Sequence, residues 1–106
     1  MSAEPEPEVV DDKEQSRYEV HLGGETVAIA DYVKQPGTVS FTHTKTFAGH
    51  EGQGLAGRMI DRALREARAE ELQVIPFCSF VRHYIAGHEE FLDLVPEDRR
   101  GEFGLT

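Results

Sequence analysis

Glu51-Gly52-Gln53-Gly54-Leu55-Ala56-Gly57 divides the chain into two regimes of hydrophobic spacing. Before it, Thr38 to Thr46 alternates, with Val39, Phe41 and His43 on one face and Ser40, Thr42 and Thr44 on the other. Period two predicts a strand. After it, Leu55, Met59, Ile60, Ala63, Leu64 and Ala67 recur at helical spacing, with Arg58, Asp61, Arg62, Arg65, Glu66 and Arg68 on the other sides. That predicts an amphipathic helix from about Gly54 to Glu70. A glycine-rich turn feeding a helix start lets several backbone N–H groups point into one concavity, where the helix adds partial positive charge. A phosphate or diphosphate is the natural guest. Gly52, Gly54 and Gly57 also spell the dinucleotide fingerprint. That fingerprint needs parallel strands and an acid at the end of the next strand. Here the next apolar run ends in Pro76-Phe77-Cys78, and the preceding strands read as hairpins.

Outward from the turn, Arg17 to Leu22 alternates through Tyr18, Val20 and Leu22, and Gly23-Gly24 follows as a tight-turn signal. Thr26 to Val33 is rich in β-formers and ends at Lys34-Gln35-Pro36-Gly37. Three strands joined by such short turns form an antiparallel meander. Beyond the helix, Leu72 to Phe77 reads as a short buried strand. Pro76 lacks an N–H, so pairing should stop there. Ser79 to His88 returns to helical spacing through Phe80, Val81, Tyr84 and Ile85, and Asp98 to Thr106 reads as frayed. The order β-β-β-α-β-α belongs to the α+β class.

Of 106 residues, 39% are hydrophobic and the formal charge is −9. Residues 1–16 hold six acids against Lys13, with two prolines and only Val9-Val10 as bulky apolars. Such a segment predicts a disordered acidic tail, which leaves residues 17–106 for one small domain. The negative charge argues against unassisted binding to nucleic acid or an anionic membrane. A single cysteine, Cys78, excludes an internal disulfide and a cysteine-rich zinc site, and the histidine spacings suggest no metal. No apolar run has the length of a membrane span and no signal-peptide pattern follows Met1, so a cytoplasmic setting is the expectation.

The strand, the Gly54-Leu55-Ala56 turn, the amphipathic helix and the short apolar strand together resemble the GCN5-related N-acetyltransferases. The family motif is Gln or Arg, two residues, Gly, one residue, then Gly or Ala. Gly54 and Ala56 fill its last two places, and Glu51 stands at the first. A minimal subgroup is closer still. It shares His43-Thr44 before the turn, the segment Pro76-Phe77-Cys78-Ser79-Phe80-Val81, then Tyr84-Ile85 and His88. The likeness spans about residues 17 to 95. It implies a meander plus one parallel strand with two helices. It also implies acetyl-CoA seated where two parallel strands part. Thr44, Lys45 and Thr46 would offer backbone to the pantetheine, and Gly52, Gln53, Gly54, Leu55, Ala56 and Gly57 would hold the diphosphate, with Glu51 turned outward. Cys78 would lie near the thioester.

Three side chains then carry candidate chemistry. Cys78 opens the last helix, whose N-terminus favours a thiolate. It would accept the acetyl group, line the thioester pocket, or be a small buried hydrophobe. His43, sharing a face with Val39 and Phe41, would be a general base or a satisfied core residue. By the resemblance Tyr84 would protonate the leaving thiolate; its spacing equally suits a core aromatic. Arg58 would reach the nucleotide 3′-phosphate or join a solvated charged face. The expected function is acetyl-CoA-dependent transfer of an acetyl group to a small-molecule or peptide amine. The alternative is a non-catalytic CoA-binding or protein-interaction module. Neither the acceptor nor the oligomeric state is encoded in these features.

Overall fold

The computed structural model describes residues 6–106. Five strands form one sheet in the order β1-β2-β3-β4-β5: β1 (Glu8–Asp12), β2 (Arg17–Leu22), β3 (Glu25–Gln35), β4 (Thr38–Thr46) and β5 (Gln73–Pro76). The first three pairings are antiparallel and β4 with β5 is parallel. Helix α1 (Leu55–Ala69) makes the crossover between β4 and β5, and α2 (Ser79–Gly87) follows β5. Two 3-10 turns, Glu89–Leu94 and Glu97–Arg99, close the chain. The result is the expected α+β class with one more strand than the sequence suggested.

That strand corrects the expectation of disorder over residues 1–16. Residues 1–5 of the expected tail lie outside the described residues, whereas Glu8–Asp12 pairs with Arg17–His21, Val9 opposite Val20. Side-chain burial is modest there. The ordering comes from ladder hydrogen bonds along an otherwise open β2 edge. Two further contacts help. The Tyr32 hydroxyl donates to Asp11 at 2.6 Å, and the Gln15 side-chain amide donates to Asp12 at 2.9 Å across the turn.

One sheet face carries Tyr18, Val20, Ala28, Ala30, Tyr32, Val39 and Phe41, all buried. Helix α1 lays Leu55, Met59, Ile60, Ala63, Leu64 and Ala67 into the same core. The Tyr18 hydroxyl reaches across to donate to Glu66 at 2.7 Å. Burial of this apolar surface is the main stabilising term for the domain. On the opposite face Glu19 is also buried, and its carboxylate accepts from Arg17 at 2.7 Å and meets His21 at 2.8 Å. Paired in this way, the charge avoids the penalty of an isolated buried carboxylate.

The C-terminal segment is not frayed. Phe103 and Leu105 are buried, Phe103 meets Phe77 edge-on, and the Arg99 guanidinium lies over both rings. Two apolar residues within three positions suffice to dock this end against the residue that follows β5.

Candidate active site

Two local irregularities in β4 shape the site. The first is a bulge. Asp31 pairs with His43 and Tyr32 with Phe41, so Thr42 is an extra residue in β4. An inserted residue resets the alternation. Val39 and Phe41 keep their place on the helix-covered face, and Thr44 and Thr46 join them opposite Ala30 and Ala28. His43 is turned to the other face and is exposed. The expectation that His43 shares the apolar face of Val39 and Phe41 is therefore corrected. Strict alternation fails because one position is counted twice.

The second irregularity is the parting of β4 from β5. Their pairing runs from Thr38 with Gln73 to Phe41 with Pro76. One more contact follows, from the Cys78 N–H to the Phe41 carbonyl at 2.9 Å. Thr42 to Thr46 then continue with no strand on that side among the described residues. The Phe77 N–H, next in the alternation to face β4, turns back to the Ile75 carbonyl at 3.1 Å, which is why the regular ladder ends there. The N of Pro76 faces away from β4, so its missing donor is not the cause. Cys78 sits in the gap as the residue before α2, and its thiol donates to the Thr44 hydroxyl at 3.1 Å. The bulge makes this contact available, since without it Thr44 would face the other way.

At the far end of β4 the chain enters the glycine turn. Gly49, Gly52 and Gly54 have φ of 89°, 79° and 73°, a region that favours glycine. Gly54 is the residue before α1, and no side chain caps the helix. Among the described residues, the N–H groups of 52 to 57 have no acceptor within the chain; the first α1 amide to be matched is that of Arg58, on the Gly54 carbonyl. Uncapped amides at a helix start are donors in search of an anion. Glu51 is exposed and bends back to accept from the Gly49 N–H at 3.1 Å. Thr46, His50, Glu51, the glycines of the turn, Leu55 and Phe80 line an open cavity of about 170 Å³. The His50 Nδ1 is buried and has no hydrogen-bond partner among the described residues. Free amides, a glycine floor and an orphaned ring nitrogen fit a phosphate-bearing group at this position.

The remaining predicted residues fall around this frame. Leu55 and Ala56 are buried and belong to the first turn of α1 as well as to the cavity wall. A methyl group on Gly57 would lie 3.6 Å from the Tyr84 ring, so this glycine lets α2 approach α1 closely. The Tyr84 hydroxyl donates to Asp61 at 2.7 Å, and its ring stacks on His88 with centroids 3.9 Å apart. Burial first and the Asp61 carboxylate second push the Tyr84 phenol up to about 12. In this arrangement Tyr84 ties α2 to α1, and to serve a thiolate it would first have to leave Asp61. Asp61 is itself held below the usual carboxylate range, chiefly by the Arg65 guanidinium. Lys45 is exposed, its ammonium 5.3 Å from the Phe47 ring centroid. Arg62 pairs with Glu66 and Arg65 with Asp61, whereas Arg58 is exposed and makes no ion pair among the described residues.

Sequence reasoning did not assign His50 or Phe80 to the site. Phe80 has the spacing of a core residue yet stands partly exposed over the glycine turn. His50 has no periodic signal at all, because it lies in the irregular segment between β4 and α1.

A mixed sheet whose parallel pair parts beside an uncapped, glycine-turned helix is the architecture of an acetyl-transferring fold. The family model of GCN5-related N-acetyltransferases matches residues 17–94, and the chain belongs to that family. No curated protein matches the chain.

Proposed function

We propose that the protein binds acetyl-CoA where β4 and β5 part and transfers the acetyl group to an amine. The observation that carries this reading is the run of unpartnered amides from Gly52 to Gly57, adjoining the unpaired Thr42–Thr46 edge. When bound, acetyl-CoA supplies an activated acetyl thioester. The chain's own residues supply the rest. Amides 52 to 57 neutralise diphosphate charge, and the Thr44 and Thr46 backbone holds the pantetheine arm where β5 would have continued, while the Lys45 backbone faces β3. Arg58, exposed and without an ion pair among the described residues, is available to the 3′-phosphate. Together these contacts convert an encounter into a positioned reaction, which is where most of the rate gain arises.

Cys78 lines the thioester end. Its thiol is spent on a neutral hydroxyl, Thr44, and not on a base. A nucleophilic cysteine needs a neighbouring base or a lowered pKa, so this geometry favours pocket lining over covalent transfer. His43 faces the opposite side of the sheet, where it would meet an ammonium entering the gap from that side and remove its proton. No described helix is long and apolar enough to cross a membrane, and we place the protein's work in the cytoplasm.

Calorimetric titration with acetyl-CoA, followed by assay of free CoA thiol with mixed primary amines, tests this reading. Micromolar binding with thiol release above the no-enzyme rate is expected. Binding without release would make the domain a CoA-binding module, and no binding at millimolar ligand would dismiss the reading.

A further inference from the structure

We infer that His50 is a direct ligand of the bound cofactor, its Nδ1 hydrogen-bonding a phosphate oxygen of the diphosphate. This inference rests on the acetyl-CoA reading of the glycine turn and adds to it a side-chain contact within the turn. Three observations converge on the residue. Nδ1 is buried, and no donor or acceptor in the described chain meets it. The residue lines the same cavity as Glu51, Gly52, Gly54, Leu55 and Phe80. Its backbone is anchored, with the His50 N–H donating to the Phe47 carbonyl at 3.1 Å, so the imidazole projects from a fixed point.

Buried polar side-chain atoms are nearly always matched, and His50 Nδ1 is the unmatched one among the described residues. In the tautomer that carries its proton on Nδ1, the ring needs an acceptor at this position. The carboxylate beside it in sequence, Glu51, is already committed to the Gly49 N–H. A phosphate seated on amides 52 to 57 brings acceptor oxygens to the cavity that His50 lines. The imidazole then adds a donor from the β4 side of the turn to the donors that the α1 side provides. It also explains how the turn holds a diphosphate with an acid at position 51, for a neighbouring side chain supplies a donor that Glu51 cannot.

Calorimetry with two probes separates this contact from general binding. CoA carries the diphosphate and pantetheine does not. His50→Phe keeps the ring and removes the nitrogens, so CoA affinity should fall about 10- to 100-fold, the span of one hydrogen bond to a charged acceptor. Pantetheine affinity should be unchanged. His50→Asn, which returns an amide N–H near the Nδ1 position, should recover most of the loss. In the native protein, the Nδ1 signal in ¹⁵N NMR of the imidazole should shift on addition of CoA and stay still with pantetheine, a readout that needs no variant. Equal CoA affinity in native protein and His50→Phe, or an unmoved Nδ1 signal at saturating CoA, would overturn the role of His50 alone. Failure of the native protein to bind CoA would overturn this contact together with the reading on which it rests.

Discussion

The Cys78 thiol and the Thr44 hydroxyl meet at 3.1 Å across the gap between two strands that have stopped pairing. The thiol donates to a group that cannot take its proton away. If Cys78 lines the pocket, Cys78→Ser keeps the donor and should leave acetyl transfer at the native order of magnitude, with no acetyl adduct on the native protein by intact mass spectrometry. Collapse of turnover in that variant, with an adduct on Cys78 in the native protein, would establish covalent transfer instead. Thr44→Val removes the partner hydroxyl and should lower stability by about 0.5–1.5 kcal/mol in thermal melts.

Two glycines of the turn should respond in opposite ways. Gly54 has φ of 73°, and alanine there must adopt a left-handed backbone at a cost of about 1–2 kcal/mol. Gly54→Ala should therefore lower the melting temperature by several degrees and weaken acetyl-CoA binding, since the turn can no longer present its amides. Gly57 lies inside α1 with a normal backbone, and a methyl group would touch the Tyr84 ring at an ordinary 3.6 Å. Gly57→Ala should raise stability by up to about 1 kcal/mol through helix propensity. Equal effects from the two substitutions would contradict the assigned backbone geometry.

The link from Tyr84 to Asp61 has a signature at high pH. The phenol's ordinary value is 10.0, and burial with the Asp61 contact moves it to about 12. A group whose folded value is raised adds stability fully present below its unfolded value and lost as pH climbs through the folded one. Tyr84 thus adds stability that persists to about pH 10 and fades toward pH 12. Tyr84→Phe should flatten this part of the stability curve measured by urea titration. As a tie between helices, Tyr84 should also be dispensable for chemistry, and acetyl transfer at neutral pH should survive in the variant. A selective loss of turnover with normal stability would make Tyr84 the acid.

Strand β1 should be felt in the rest of the sheet. Tyr32→Phe deletes the hydroxyl that holds Asp11 and should cost about 0.5–1.5 kcal/mol. Its check is hydrogen exchange, in which the amides of Val9 to Asp11 should lose protection before those of β3. Uniform loss across the sheet would mean that β1 is no separate unit.

The parts of the fold that follow a period were readable from the residues. Leu55 through Ala67 announced α1, and the alternation in Tyr18–Val20 and Val39–Phe41 announced β2 and β4, because periodic burial leaves a periodic trace. Strand β1 was not readable, since backbone pairing holds it and only Val9 and Val10 hint at burial. The Thr42 bulge was equally silent. Nothing in Phe41-Thr42-His43 marks an extra residue, and the bulge moves His43 to the opposite face while bringing Thr44 to Cys78. At the site, the glycines were legible because each has a backbone property that forces a turn, and Pro76 marked the place where pairing stops although the turning back of the Phe77 N–H is what ends the ladder. The place of Phe80 over the glycine turn was not legible, because helical spacing does not say which side of a short helix is covered.

The Thr42 bulge has one more effect. It works as a phase shifter, and everything from His43 to Thr46 owes its orientation to a single surplus residue. Exchanging or deleting Thr42 should therefore leave the imidazole and the hydroxyl on their present sides, since His43 then follows Phe41 in plain alternation, whereas drawing Thr42 into the ladder would swap them and uncouple the thiol at a stroke.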